Sequence, residues 1–174
     1  MKAFFRVTVP ILCAVGILFA AAPTPAADSG DTSRCMGLSL EEAGAILGVS
    51  STDLVVEGRD MMVSPQDLEK GLYRKTPHAC TFRSQNDFLR FVSYITYVHS
   101  SKQQARLEWE RMKEGFETVS AVDAVPGVGD EAFWAGDSRF RRMVAVKGAV
   151  VVDVLNPKDF DLQKRILKSV LASF

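Results

Sequence analysis

Two spacings of apolar residues alternate along the chain, and together they predict a mixed set of helices and strands. Leu40, Ala43 and Leu47 fall on one helical face, Ser39 and Glu42 make a capping box ahead of them, and Gly48 is a natural stop. Ala105, Trp109, Met112 and Phe116 follow one another at intervals of four, three and four. That stripe predicts the longest helix, about 101–118, opened by Ser100 or Ser101 and solvated on the faces that carry Lys102, Arg106, Glu110 and Glu114. A last helix, capped by Asp159 or Asp161, sets Leu162, Ile166, Val170 and Phe174 on a broad apolar face with Leu167 and Leu171.

Between these helices the period shortens to two or the apolar run becomes continuous. Leu54-Val55-Val56 is a short strand candidate, and Ala79 to Arg83 alternates with Cys80 and Phe82 inward. Phe88 to Val98 is dense in aromatic and β-branched residues. Phe133-Trp134, Phe140 to Val146 and Ala149 to Leu155 complete the set. Turn chemistry separates them: Ser84-Gln85-Asn86-Asp87, Val125 to Ala132, Gly136-Asp137-Ser138, Lys147-Gly148 and Asn156-Pro157. Gly58 to Tyr73 reads mainly as a long excursion, after which Thr76-Pro77 returns the backbone to an extended path. The order is helix, up to three strands, helix, three strands, helix. Short turns between strands predict an α+β fold with a mainly antiparallel sheet of about five to six strands. The amphipathic helices would cover one face, and the halves suggest an α-βββ pseudo-repeat, although no residue pattern matches between them.

The first 27 residues belong to a different class. Lys2 and Arg6 precede a nearly unbroken apolar run from Val7 to Ala22, and small residues follow to Ala27. That order predicts a secretory signal peptide over residues 1–27, cleaved between Ala22 and Ala27. A retained anchor is the alternative, but the run is shorter than the roughly 20 residues a bilayer span needs, and it contains Pro10. Neither Cys13, preceded by Pro10-Ile11-Leu12, nor Cys35, preceded by Thr32-Ser33-Arg34, has the small residues that lipoprotein processing requires. Residues 28–34 form a flexible lead-in, and 35–174 a single globular domain without a membrane span. At 47% apolar and 24% charged residues, the composition is that of a folded chain and not a disordered one.

Removing the leader changes two counts. Three cysteines become two, and an even number in an exported chain predicts a disulfide, here Cys35–Cys80 across 45 positions. The 21 basic and 21 acidic residues become 19 and 21, because the leader holds only Lys2 and Arg6. A near-neutral surface gives no electrostatic reason to bind nucleic acid or an anionic membrane.

Chemistry-bearing motifs are sparse. Cys35 and Cys80 could also be a redox pair, or Cys80 a nucleophile with His78 as base, but redox pairs usually sit close in sequence and this separation fits a crosslink. His78 and His99 stand at the ends of separate strands, and no spacing suggests a metal site or a cofactor. Met61-Met62 could touch a soft metal, yet adjacent residues of an extended chain point to opposite sides, and packing explains them as well. Pro126-Gly127-Val128-Gly129-Asp130 lacks the Gly-Lys-Ser/Thr ending of a phosphate loop and leads into a strand, so a tight turn is the plainer explanation. Asp130 and Glu131 are adjacent on a strand and so poorly placed as an acid/base pair. With Trp134 they are nonetheless the candidate ligand or partner contacts. No catalytic residues are predicted.

The segments Cys35-Met-Gly-Leu-Ser-Leu-Glu-Glu-Ala-Gly-Ala-Ile-Leu-Gly48, Cys80-Thr-Phe, Val125-Pro-Gly-Val-Gly-Asp-Glu-Ala-Phe133 and Arg142 to Val154 carry a resemblance. Together they resemble a group of small exported domains best known from actinobacterial cell-envelope lipoproteins of unknown function. The resemblance implies an α+β sheet-and-helix build and no established catalytic residues. This chain departs from the group in lacking the lipoprotein cleavage signal. The expected function is therefore that of a periplasmic or secreted domain that binds an envelope protein or a small apolar ligand. The alternatives are a small envelope enzyme, a hydrolase or thiol-dependent catalyst, and a structural accessory subunit.

Overall fold

A computed structural model describes residue 35 and residues 37–136, 141–155 and 159–174. The predicted leader, the lead-in, most of the Gly136-Asp137-Ser138 turn, the start of the Phe140 strand and Asn156-Pro157 lie outside these residues.

The first helix, α1 (Leu40–Leu47), forms where the capping box places it: Ser39 Oγ accepts the Glu42 N–H at 3.1 Å, and the Glu42 carboxylate accepts the Ser39 N–H at 2.9 Å. Gly48 ends it in the left-handed region with φ 67°. A 3₁₀ turn then leads into β1 (Leu54–Asp60), more than twice the length of the apolar triplet that announced it. The stretch expected to be an excursion is more ordered than predicted. Its first residues extend β1, Pro65–Glu69 forms a short helix α2 with Ser64 as N-cap, and β2 (Tyr73–Ser84) begins before Thr76-Pro77.

A proline inside a strand needs a break in the ladder, and β2 supplies one. Its register with β3 (Phe91–His99) shifts between Tyr73 and Lys75 and again between Lys75 and His78. β3 starts later than its composition suggests. Ser84 Oγ accepts from the N–H groups of Asn86 and Asp87, and Asp87 accepts from Leu89 N–H at 3.1 Å. The turn thus reaches past Phe88 and Leu89, which are left 72% and 71% exposed.

After α3 (Lys102–Glu117) come β4 (Val122–Ala124), β5 (Glu131–Gly136), β6 (Arg141–Lys147), β7 (Val150–Leu155) and α4 (Phe160–Ala172). The strands form one antiparallel sheet in the order β1-β2-β3-β7-β6-β5-β4. Among the described residues that makes seven strands and four helices, an α+β fold with one strand more than predicted. The extra one is β4, only three residues long. Two meanders, each preceded by a helix, meet where β3 pairs with β7, which is the expected α-βββ arrangement lengthened by β4.

The helices cover both faces of the sheet, not one. Cys80, Phe82, Tyr94, Met143, Val152 and Val154 point to the side where α1 and α4 lie, with Ile166, Leu167 and Val170 of α4 closing that core. Phe133, Val144, Val146 and Val151 point to the other side, under Ala105 and Trp109 of α3. A strand between two covered faces has no solvent side, which is why β7 reads Val-Val-Val-Asp-Val-Leu without alternation. Among the described residues no helix is long and apolar enough to cross a membrane.

Candidate functional site

A cleft of about 470 Å³ opens at the β4–β5 end of the sheet, between α3 and the turn at 125–130. Its floor is fixed by Trp109, 5% exposed, whose indole N–H donates to the Val144 carbonyl at 3.4 Å and whose ring meets Phe133 at 5.5 Å. Arg106 and Lys113, three residues before and four after on the same helix, bring their cations over the Trp109 ring at 5.0 and 5.9 Å. Ala124, Val125, Pro126 and Val128 form the opposite wall.

That wall is held by its backbone. Val125 and Val128 are buried and anchor the turn at both ends. Gly129 has φ 60°, and a Cβ there would run into the Val146 carbonyl. Asp130 N–H donates to that same carbonyl at 2.7 Å, and the Asp130 carboxylate accepts the Gly148 N–H of the β6–β7 turn at 2.7 Å. The two glycines of the Pro-Gly-Val-Gly segment therefore serve turn geometry, and Asp130 ties two turns together.

Of the three residues singled out as contacts, the fold brings two to this cleft. Asp130 and Glu131 sit at its rim, with Glu131 ion-paired to Arg106, which also holds Glu110 at 2.8 Å. Trp134 is on the other face, edge-on to Phe160 at 6.4 Å and half-buried. Trp109, Lys113 and Phe133 were not singled out. Trp109 had a signal in the cations that flank it at helical spacing, but the same pattern describes any solvated helix edge. The cleft thus has an apolar floor of Trp109 and Phe133, with its charged groups at the rim.

Cys35 and Cys80 are joined as predicted, with Cα atoms 5.5 Å apart, on the α1–α4 side of the sheet. His78, two residues before Cys80 on the same face of β2, is buried beside the bridge.

His99 ends β3 under the start of α3, 3% exposed, in a smaller pocket of about 140 Å³. Its Nδ1 donates to the Leu72 carbonyl at 3.2 Å, while Nε2 and the nearby Gln104 Oε1 have no hydrogen-bond partner among the described residues. Burial holds the His99 pKa below the ordinary 6.5, outweighing the Leu72 carbonyl and Glu108, which pull it up. A histidine whose folded pKa is depressed contributes stability above its unfolded pKa and loses it as the pH falls toward the folded value. Acidification below 6.5 should therefore lower the denaturation midpoint, and His99→Gln should remove up to about 1.4 kcal/mol per pH unit of that slope. Parallel slopes in the two proteins would show that another group sets the acid limit.

No family model matches the sequence, and no curated protein matches it. In fold the chain is similar to the extracellular domain of PknH from Mycobacterium tuberculosis, with a TM-score of 0.53 and 13% sequence identity over 78% of this chain and 91% of that one. The chain is an antiparallel α+β domain with helices on both faces of its sheet, and in fold it is similar to that extracellular domain.

Proposed function

We propose that the protein is an exported binding domain whose cleft between α3 and the 125–130 turn takes a small amphiphilic ligand. The carrying observation is the cleft itself: about 470 Å³, floored by Trp109 and Phe133, with Lys113 at the rim. That volume suits a small molecule, and the apolar floor suits an acyl or aromatic body. Export is supported by the leader pattern in residues 1–27, by the Cys35–Cys80 bridge, and by the extracellular setting of the structural neighbour.

The test is a filling substitution at a position the core does not use. Ala124 lies on the exposed edge strand β4 and lines the cleft. An anionic naphthalene sulfonate dye should brighten on binding the mature protein. Ala124→Trp should weaken that binding about tenfold or more, which is about 1.4 kcal/mol, at an unchanged melting temperature. Lys113→Glu should weaken the anionic dye and spare a neutral one. Equal dye binding by wild type and Ala124→Trp would place the dye elsewhere and remove the support for this reading. Mass spectrometry of protein purified from its native envelope then identifies the natural occupant, while a stoichiometric protein partner in its place would favour a docking role.

A further inference from the structure

Beside the disulfide the fold assembles a group of which the sequence spacing announces only the His78–Cys80 pair. His78 stands opposite Asp60 in the β1–β2 register, and its Nδ1 lies 2.8 Å from Asp60 Oδ1. A carboxylate accepts only, so Nδ1 carries a proton, and in the neutral imidazole the lone pair is on Nε2. That Nε2 is turned toward the bridge, 4.0 Å from Cys35 Sγ. The ligand atoms of Cys35, His78 and Cys80 all lie within 4.8 Å of one another. His78 and Cys80 are 2% and 0% exposed, while Cys35 is half-buried and opens the site toward solvent.

A disulfide has no proton to offer, so a buried imidazole lone pair directed at it gains nothing there. Reduction changes what the lone pair faces. We infer that the reduced protein holds a soft divalent cation of the zinc type through Cys35 Sγ, Cys80 Sγ and His78 Nε2. Asp60 fixes the imidazole from behind, and the half-exposed Cys35 side leaves a fourth position for water. Zinc–sulfur and zinc–nitrogen bonds of about 2.3 and 2.0 Å place tetrahedral donors roughly 3.5–3.8 Å apart, so the side chains need only small rotations. A carboxylate on the far nitrogen is the usual support of a metal-bound histidine.

The redox step balances with a dithiol as reductant. It gives two electrons and two protons to the Cys35–Cys80 bond and becomes a disulfide itself. The metal then displaces both thiol protons to solvent. Reoxidation by a disulfide removes two electrons and releases the ion. The bridge is thus a staple when oxidised and a metal site when reduced. Four strand spacings, about 19 Å, separate β2 from β5, so this site does not depend on the cleft reading.

Cobalt is the probe. Mature protein reduced with a phosphine should bind one Co²⁺ per chain, with thiolate-to-metal charge-transfer absorption and the strong visible bands of a tetrahedral site, and Zn²⁺ should displace it. The oxidised protein should show neither. Asp60→Asn should weaken binding about 10–100-fold, and His78→Gln at least as much. Circular dichroism follows the fold throughout. If reduction alone unfolds the chain, Zn²⁺ should restore the native spectrum, as expected when binding energy is folding energy. Absence of charge transfer in reduced, folded protein overturns the proposal. So does an unchanged affinity in His78→Gln, and so does a reduced chain that Zn²⁺ fails to refold.

Discussion

Cys35→Ser should lower the unfolding free energy by about 4 kcal/mol, a large share of the roughly 5–15 kcal/mol by which domains of this kind are stable. The magnitude follows from the size of the loop that the bridge closes, 45 positions, through the conformational freedom it removes from the unfolded chain. The native state shows what is tied down. Just after Cys35 the backbone passes so close to α4 that a Cβ on Gly37, which has φ 85°, would collide with the main chain at Val170. Leu38 follows into the core, 5% exposed. Without the bridge, among the described residues, this segment is held by the Gly37 contact with α4, by Leu38 and by α1. Cys80→Ser should cost more than Cys35→Ser, because Cys80 is fully buried among Phe82, Tyr94 and Val154 and a serine hydroxyl there must find a partner or forfeit about 1–3 kcal/mol. Guanidinium denaturation of the two variants and of wild type with and without reductant measures both effects. Coincident midpoints for oxidised and reduced wild type would show that the bridge does not act as a staple.

Much of this architecture was legible because its causes are local. The capping box at Ser39 and Glu42 requires only neighbouring backbone, and the Ala105–Trp109–Met112–Phe116 stripe only a helical period. The cysteine pairing needed only a count once the leader was set aside. What escaped depends on which face of the sheet is covered, and neighbouring residues cannot report that. Phe133 and Trp134 are adjacent, aromatic and largely shielded, yet one lies under Trp109 and the other against Phe160. Alternation separates such a pair only when one face is wet. The same blindness put Asp130, Glu131 and Trp134 into one group, although the pleat divides Glu131 from Trp134. The unbroken apolar run of β7 was the available sign that both faces are covered. The convergence of Cys35, His78 and Cys80 is topological in origin. His78 and Cys80 share one face of β2, but Cys35 reaches them only because α1 and the segment before it fold back over the sheet.

The β7 run contains one polar residue, and it carries the other large expected effect: Arg142→Met should destabilise the protein by about 3–5 kcal/mol at neutral pH. Asp153 is 1% exposed, on the α3 side of the sheet, and burial pushes its carboxyl above the ordinary 3.8. Arg142, diagonally across on β6, opposes that shift with a two-pronged contact, Nε to Oδ1 at 2.9 Å and Nη2 to Oδ2. The guanidinium is itself mostly covered, 5.5 Å from the Phe116 ring of α3. Methionine fills the space but strands the carboxylate. The pH dependence identifies the cause. A carboxyl with a raised folded pKa contributes stability that is fully present below its unfolded value and lost as the pH rises through the folded one. Without Arg142 the folded pKa rises further, so the deficit of Arg142→Met should be greatest at neutral pH and shrink as the pH falls below 3.8, where Asp153 becomes protonated in both states. Arg142→Met combined with Asp153→Val should recover most of the loss at neutral pH, since replacing both partners leaves no buried charge. A deficit that is independent of pH and persists in the double variant would mean that Arg142 stabilises by packing on Phe116, with the ion pair contributing little.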